Sequence, residues 1–279
     1  NRRTFTFSAW VKLSVSGNSG ALFSGSKSGV GFFKFMFRDD GRIELNTSES
    51  SLSDSSQVRT TRRFRDPSAW YHVVVAYDTT QGTSSDRVKL YVNGVQITEF
   101  GTNTLPPQNH EVSVNVDGEH QIGNQVGVSN FHDGYLAEVH FIDGLQLTPS
   151  SFAETNAATG QWNPIKYAGS YGTNGFRLQF ADNSGTTATT LGKDTSGNGN
   201  NFTPNNFSVS AGAGNDSLED TPTNNFCTLN PLDKMGTVTV SEGNLKVVIN
   251  GDNASLITGS FGVSSGKWYY EAVADTAGA

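Results

Sequence analysis

The feature that most constrains the fold of this chain is a two-residue alternation of apolar and polar side chains. Over residues 4–13 the apolar side chains occupy odd positions, and mostly polar groups occupy even ones. The apolar set is Phe5, Phe7, Ala9, Val11 and Leu13. Successive side chains of a β-strand point to opposite faces, so this pattern predicts a half-buried strand.

Similar segments recur along the chain and are separated by turn signals. Asn93-Gly94 stands between two of them, and Asp143-Gly144 ends another. Both pairs tolerate the positive φ angles of a tight hairpin turn. Further strands are predicted at 31–37, 42–45, 70–77, 88–92, 95–97, 135–142, 175–180, 237–240, 245–249 and 268–273. Helical periodicity is scarce, and only one or two helical turns are predicted, at 148–154.

Composition agrees with many short strands joined by tight turns. Of 279 residues, 31 are glycine and only 16% are charged, against about 25% in an average protein. The single cysteine, Cys227, excludes an intrachain disulfide framework. The net charge of -7 opposes nucleic-acid binding, which depends on clustered Lys and Arg. No apolar stretch approaches the ~18 residues that cross a bilayer, so we predict no membrane insertion.

These patterns predict an all-β chain, namely an antiparallel sandwich plus a partial second β unit. The predicted sandwich spans 1–154, and 236–279 is the start of the second unit. Residues 155–235 form a connector that is rich in Gly, Asn and Thr. It is long for a loop and has few apolar residues with which to fold alone, so we expect it to pack on the sandwich.

Five motifs in a fixed order resemble laminin-G-like domains of the concanavalin-A-like superfamily. They are Phe-Thr-Phe-Ser-Ala-Trp-Val-Lys (5–12), Ala-Trp-Tyr-His-Val-Val-Val (69–75), Leu-Tyr-Val-Asn-Gly-Val (90–95), Ile-Gly-Asn (122–124) and Gly-Tyr-Leu-Ala-Glu-Val (134–139). The resemblance covers roughly residues 1–150 and implies an antiparallel jelly-roll sandwich.

Three longer segments, at 64–72, 141–149 and 191–202, are similar to large structural proteins of marine tailed bacteriophages. Those proteins are assigned to tail fibres or other virion appendages. The resemblance therefore implies a homo-oligomeric, extracellular adhesin on the virion surface, with a host-surface glycan or protein and other virion proteins as partners. Residues 266–271 (Gly-Lys-Trp-Tyr-Tyr-Glu) are similar to the opening of a SPRY domain, so 236–279 is interpreted as a truncated SPRY-like unit.

Two other functions stay open at this stage. One is a structural or decoration protein of a capsid or tail that binds no ligand. The other is a secreted bacterial carbohydrate-binding module or glycoside hydrolase. A hydrolase of this superfamily needs two carboxylates on one strand face. The nearest pair, Glu138 and Asp143, is five residues apart and is predicted to point to opposite faces. We therefore predict no catalytic residues, no required cofactor and no enzymatic activity.

Calcium is the one metal that the resemblance implies, held at the sandwich rim by oxygen ligands. The candidates are Asp78, which follows the strand at 70–77, and Asp117 or Asn124 near the Ile-Gly-Asn motif. Residues 194–200 imitate the first half of an EF-hand loop, but its last position is Asn205 where that loop needs Glu. A turn held by Asp and Asn side chains is the better interpretation.

Trp162 and Tyr171 are the candidate glycan-binding residues, because both lie in loop-like stretches. Sugar faces stack on aromatic rings, while neighbouring amides bond the hydroxyls. The alternative for each of them is a cap over the core, and the sequence leaves both interpretations open.

Overall fold

The computed structural model describes residues 1–15, 17, 19–49, 55–249 and 254–274. The strands are β1 (Thr4–Leu13), β2 (Gly20–Lys27), β3 (Gly31–Phe37), β4 (Ile43–Glu49), β5 (Ser56–Thr60), β6 (Trp70–Asp78), β7 (Val88–Val92), β8 (Val95–Ile97), β9 (Phe100–Thr104), β10 (Glu119–Ile122), β11 (Gly134–Asp143), β12 (Ala153–Thr155), β13 (Trp162–Pro164), β14 (Phe176–Leu178), β15 (Leu229–Met235), β16 (Val238–Ser241), β17 (Lys246–Ile249) and β18 (Leu256–Gly259). Short 3-10 turns lie at Ser84–Asp86 and Pro149–Ser151. The all-β prediction is confirmed.

Two six-stranded antiparallel sheets form the sandwich. The front sheet has the order β14-β11-β1-β6-β7-β8, and the back sheet has the order β10-β2-β3-β4-β5-β9. The predicted hairpin turn between β7 and β8 is present, with φ of 49° at Asn93 and 79° at Gly94. Two successive positive φ angles define the turn type that suits the twist of paired strands.

The core between the sheets is largely aromatic. Phe5 of β1 packs edge-on against Phe33 of β3 at a centroid distance of 5.5 Å. Phe7 stacks on Phe23 of β2 at 5.2 Å. All four rings are buried, and each contributes roughly 1.5–3 kcal/mol by leaving water. The odd positions of β1 therefore face the core, as their alternation predicts.

The other face of β1 is not solvent-exposed, so the prediction of a half-buried strand is wrong in this respect. Its even-position side chains Thr6, Ser8, Trp10 and Lys12 are all buried. They lie on the outer face of the front sheet, which is covered partly by residues 145–153, where Leu145 and Leu147 bond Thr6, and partly by the connector, where Asp220 bonds Lys12. Alternation in the sequence indicates that polar side chains occupy one face of a strand. It does not indicate whether another part of the chain covers that face and excludes solvent from it.

The connector is attached to the sandwich by a strand and by a fixed turn. β14 pairs with β11 so that Phe176 lies opposite Phe141. The Asp194 carboxylate accepts hydrogen bonds from the backbone N–H groups of Arg177, Ser196 and Asn200 at 2.8–2.9 Å. These donors occupy the oxygens that a cation would need, which agrees with a turn held by side chains.

The C-terminal part forms two small antiparallel pairs, β15 with β18 and β16 with β17. It contacts the sandwich where Asn244 Nδ2 donates to the Ser14 carbonyl at 2.6 Å. The strand predicted at 268–273 is wrong, because these residues are irregular and exposed. An alternating segment becomes a strand only when a neighbour accepts its backbone hydrogen bonds. No helix in the described residues is long and apolar enough to span a membrane.

Candidate functional site

Three of the four tryptophans meet in one cleft at the outer face of the front sheet, beside the β7–β8 turn. We call this the tryptophan cleft; its volume is about 300 Å³. Its lining comprises Trp10, Ala69, Trp70, Asn93, Gln161, Trp162, Pro222 and Asn225. The cleft therefore combines residues of the sandwich with residues of the connector.

The register of β1 and β6 builds the floor of the cleft. Trp10 lies directly opposite His72, and their rings stack at a centroid distance of 4.8 Å with an interplanar angle of 18°. The next outward-facing pair places Lys12 opposite Trp70. Trp10 and Trp70 lie on adjacent strands of the same sheet face and pack in one buried cluster, so the two indoles share this floor.

His72 fixes the orientation of Trp162. The Trp162 Nε1–H donates to His72 Nδ1 at 3.1 Å, and His72 Nε2 lies 2.8 Å from Ser8 Oγ. Burial, with a smaller effect of His140, lowers the pKa of His72 to about 3. The ring is therefore neutral near pH 7, and because Nδ1 accepts, its proton resides on Nε2 and is donated to Ser8.

The glycine of the β7–β8 turn allows the Trp162 ring to pack against the turn. A Cβ atom added at Gly94 would lie 3.2 Å from the Trp162 ring, and Gly94 has a φ of 79°. Glycine thus serves two purposes here, because it permits the left-handed backbone and lets the indole lie against the turn. Trp162 remains half-buried, with part of its ring open to the cleft.

A buried ion pair fixes the connector wall of the cleft. Lys12 Nζ donates to Asp220 Oδ2 at 2.6 Å, to Asn225 Oδ1 at 2.7 Å and to the Phe226 carbonyl at 2.9 Å. Trp70 Nε1 donates to the other Asp220 oxygen at 2.9 Å. All three donor protons of the ammonium group are used, so this wall is rigidly attached to β1.

Two amide groups at the rim of the cleft keep free hydrogen-bonding capacity. Asn93 Oδ1 accepts from the His72 N–H at 2.8 Å, and Gln161 Nε2 donates to the Pro222 carbonyl at 3.2 Å. The remaining polar atoms, Asn93 Nδ2 and Gln161 Oε1, form no hydrogen bond with other described residues. Both side chains are exposed. The cleft therefore offers one donor and one acceptor beside an aromatic face.

Tyr171, the second residue predicted to bind a glycan, lies elsewhere. It is only 8% exposed and belongs to a separate cluster with Phe152 and Tyr167. Its ring stacks on His140, and its hydroxyl lies 3.0 Å from His140 Nδ1. Burial raises the pKa of Tyr171 to about 12. It occupies the capping position that was the alternative, and the structure does not bring it together with Trp162.

The three calcium candidates differ in how their oxygens are used. Asp78 accepts hydrogen bonds from Thr4 Oγ1, from the Thr80 N–H and hydroxyl, and from Gln81 Nε2. These bonds lower its pKa against the opposing effect of burial, which is the largest single influence.

Asp117 is exposed, and Asn124 has a buried Oδ1 without a partner among the described residues. Calcium needs six to eight oxygens. The described residues contain no group of three His, Cys, Asp or Glu side chains placed to hold a metal. Calcium binding at these positions therefore stays a prediction.

The two carboxylates considered for catalysis lie on opposite faces of β11. Glu138 accepts from Arg177 Nε at 2.9 Å and lies 3.4 Å from His140 Nε2. It sits at an irregularity of the β1–β11 pairing, with a φ of 48°. Burial is the largest single influence on the pKa of Glu138 and acts to raise it, but the hydrogen bonds and charges of His140 and Arg177 together lower it. A proton donor in glycoside hydrolysis needs the reverse shift.

Sequence reasoning did not identify Trp10 and Trp70 as part of a site. A signal was present, because Trp10 shares the even positions of β1 with Thr6, Ser8 and Lys12. A large aromatic side chain on the polar face of a strand indicates that something else packs there. Gln161 and Asn225 carried no such signal, since they lie in the Asn- and Gly-rich connector.

A comparison of the sequence with protein families shows which family the chain belongs to. Residues 1–150 match the laminin G family described as the concanavalin A-like lectin/glucanases superfamily. The chain belongs to this family. The laminin-G-like domain accounts for most of both sheets, while β14 and the connector wall of the cleft lie outside the matched residues. No match was found among curated proteins.

Several solved structures are similar to part of this chain at low sequence identity. A heptameric SAP-like pentraxin from Limulus polyphemus is 22% identical, with a TM-score of 0.37, over 52% of this chain and 66% of its own. Domain 4 of an extracellular arabinanase from Geobacillus stearothermophilus, solved with arabinotriose, is 21% identical, with a TM-score of 0.39, over 53% of this chain and 64% of its own. For domains LG4-5 of the mouse laminin alpha1 chain the identity is 12% and the TM-score 0.38, over 64% of this chain and 41% of theirs. This chain thus spans less than two thirds of each.

Proposed function

We propose that this chain is a non-catalytic module that binds a host-surface glycan in the tryptophan cleft. The observation that carries the proposal is the half-exposed Trp162 ring, held in place by His72 and flanked by the free amide atoms of Asn93 and Gln161. A pyranose ring has an apolar face that stacks on an indole and hydroxyls that bond amides. The cleft presents both kinds of contact side by side.

The size and rigidity of the cleft favour a short glycan. Its volume of about 300 Å³ lies at the lower end of ligand pockets, which are roughly 300–1,000 Å³. One or two sugar rings fit this space. Because both walls are already fixed by hydrogen bonds, little conformational entropy is lost when a ligand binds.

We further propose that the module belongs to a homo-oligomeric adhesin on the surface of a tailed-bacteriophage virion. What supports this is the similarity of segments 64–72, 141–149 and 191–202 to structural proteins of such phages. Other virion proteins would then be partners through the rest of the surface. In an assembled particle, an open tryptophan cleft would support the adhesin, whereas a cleft buried against neighbouring subunits would favour a decoration protein.

The proposal is tested with a glycan array followed by calorimetric titration of the best ligand. Replacing Trp162→Ala removes the stacking surface, so we expect affinity to fall at least tenfold, about 1.4 kcal/mol. Trp268→Ala is the matched control, because Trp268 is 69% exposed and does not line the cleft; the affinity of this variant should equal that of the wild type.

Two results would contradict the proposal. One is the absence of binding to any host-derived glycan on the array. The other is equal affinity of the Trp162→Ala variant and the wild type. Release of new reducing ends from the bound glycan, abolished by Glu138→Gln, would instead identify a glycoside hydrolase.

A further inference from the structure

A lysine, an aspartate and an asparagine converge where the connector packs on β1. Lys12 Nζ lies 2.6 Å from Asp220 Oδ2 and 2.7 Å from Asn225 Oδ1. The side chains of Lys12 and Asp220 are only 0% and 5% exposed. An amine, a carboxylate and a primary amide held together in this way are the groups that an amide-forming reaction within the chain requires, namely a nucleophile, a proton carrier and an acyl group.

Aromatic rings surround the amine. In strand register Lys12 lies between Trp70 of β6 and Tyr135 of β11, and its Nζ is 5.6 Å from the centre of the Tyr135 ring. Trp70 belongs to a buried cluster with Trp10, and Tyr135 packs against that cluster. Desolvation in apolar surroundings is one of the ways in which proteins make a lysine nucleophilic.

The amide group of Asn225 is placed for attack by the lysine nitrogen. Its carbonyl carbon Cγ is bonded to Oδ1 at about 1.2 Å and therefore lies within about 4 Å of Lys12 Nζ. Reacting atoms in productive complexes are about 3–3.5 Å apart, so a small side-chain rotation brings the two atoms into range. Asn225 Nδ2 donates to the Ser68 carbonyl at 2.7 Å, which fixes the orientation of the amide.

We propose that Lys12 and Asn225 form an intramolecular isopeptide bond, with Asp220 as the group that transfers protons. Asp220 accepts a proton from the ammonium group, and the neutral amine attacks Cγ of Asn225. Asp220 then protonates Nδ2 and takes a second proton from the attacking nitrogen. The Cγ–Nδ2 bond breaks, ammonia leaves, and an amide bond between Nζ and Cγ remains.

The reaction balances without an oxidant or a cofactor. An ammonium group and a primary amide become a secondary amide and an ammonium ion, and Asp220 returns to the carboxylate when its proton is carried off. Asn225 lines the open tryptophan cleft, so the ammonium ion has a path to solvent. The proton that stays on the new amide nitrogen has an acceptor in the Phe226 carbonyl, which lies 2.9 Å from Nζ.

The bond joins β1 covalently to the connector. It closes a loop between two residues that are 213 positions apart, and a cross-link over a long loop stabilises a protein by restricting its unfolded state. A chain with one cysteine has no intrachain disulfide for this purpose. Because the reaction involves no ligand, the inference stands independently of the glycan binding proposed above.

Mass spectrometry of the intact, folded protein tests the proposal. We expect the wild type to weigh less than the mass calculated from its sequence by one ammonia. After denaturation, a tryptic digest should contain one branched peptide that joins Lys12 to Asn225, uncleaved after Lys12. Lys12→Arg keeps the charge, but its guanidinium stays protonated and cannot attack. Asp220→Asn keeps the shape without a proton acceptor, so both variants should keep their full calculated mass.

Asn224→Ala is the matched control, because it removes a neighbouring amide that is not an acceptor of Lys12. It should lose one ammonia as the wild type does. A wild type of full calculated mass would overturn the inference, whether or not the variants fold. So would an ammonia loss that persists in Lys12→Arg, since that result indicates a succinimide at another asparagine. Loss of one water, with Lys12 joined to Asp220, would overturn the roles assigned to Asp220 and Asn225.

Discussion

Lys12 is a fully buried cation whose position is explained by its partners. It lies on the outer face of β1, 0% exposed, and its ammonium group bonds Asp220, Asn225 and the Phe226 carbonyl. Burying a charge is costly unless it is paired and its hydrogen bonds are satisfied. The lysine therefore depends on a segment more than 200 positions away in the sequence.

Replacing Asp220→Ala should destabilise the protein by about 3–5 kcal/mol, because the ammonium group would stay buried without its counter-ion. Urea unfolding measures the change. The control is Lys12→Met combined with Asp220→Asn, which removes both charges and keeps a hydrogen-bond acceptor for Trp70. This double variant should lose much less free energy of unfolding than Asp220→Ala. If Asp220→Ala reduced the free energy of unfolding by less than about 1 kcal/mol, the Lys12–Asp220 ion pair would not be what attaches the connector to β1.

At the scale of single elements, the β7–β8 hairpin connects backbone geometry with the binding site. Replacing Gly94→Ala forces a Cβ into the left-handed region, at a φ of 79°, which costs about 1–2 kcal/mol. It also displaces Trp162, whose ring lies 3.2 Å from that Cβ position. We expect lower thermal stability together with weaker glycan binding.

Gly144→Ala is the matched control for the hairpin variant. Gly144 has a φ of 92°, and a Cβ added there meets nothing within 4 Å. Its replacement should reduce stability by a similar amount and leave glycan affinity unchanged. Equal binding by both variants would show that the turn does not position the indole.

Two segments show what a local sequence pattern can and cannot predict. The alternation at 245–249 predicted a strand, and β17 confirms it because β16 supplies its hydrogen-bonding partner. The same kind of alternation at 268–273 lacks a paired strand within the described chain, and it is irregular. Periodicity reports the capacity to form a strand, whereas pairing depends on what lies beside it.

At the scale of the whole molecule, buried histidines couple stability to pH. Burial lowers the pKa of His72 to about 3 and of His132 to about 4. Burial also lowers the pKa values of His120 and His140. All four are lowered from the ordinary value of 6.5. At a pH between such a lowered pKa and 6.5, the histidine is protonated in the unfolded chain but not in the folded one. The free energy of unfolding therefore falls as the pH falls.

We expect the free energy of unfolding to decrease from pH 6.5 towards pH 4, by up to about 1.4 kcal/mol per pH unit for each neutral buried histidine. Denaturant unfolding at several pH values measures this slope. In the His72→Gln variant the free energy of unfolding should depend less steeply on pH, because one of the four titrating histidines has been removed. An unchanged slope in that variant would show that His72 is not protonated on unfolding in this range.

The sequence by itself determined the sandwich and the strands with clear alternation, because alternation of apolar and polar side chains is a local property of consecutive residues. It did not predict β2, β5, β9, β10, β12, β13, β15 or β18. It also indicated Trp162 as a candidate, since an aromatic residue in a polar loop is unusual. It did not determine that Trp10, Trp70 and Trp162 share a cleft, or that Lys12 is buried beneath Asp220. Only the tertiary structure decided these points, because they depend on the path of the connector over the front sheet, and long-range packing leaves no periodic signal in the segments that it joins.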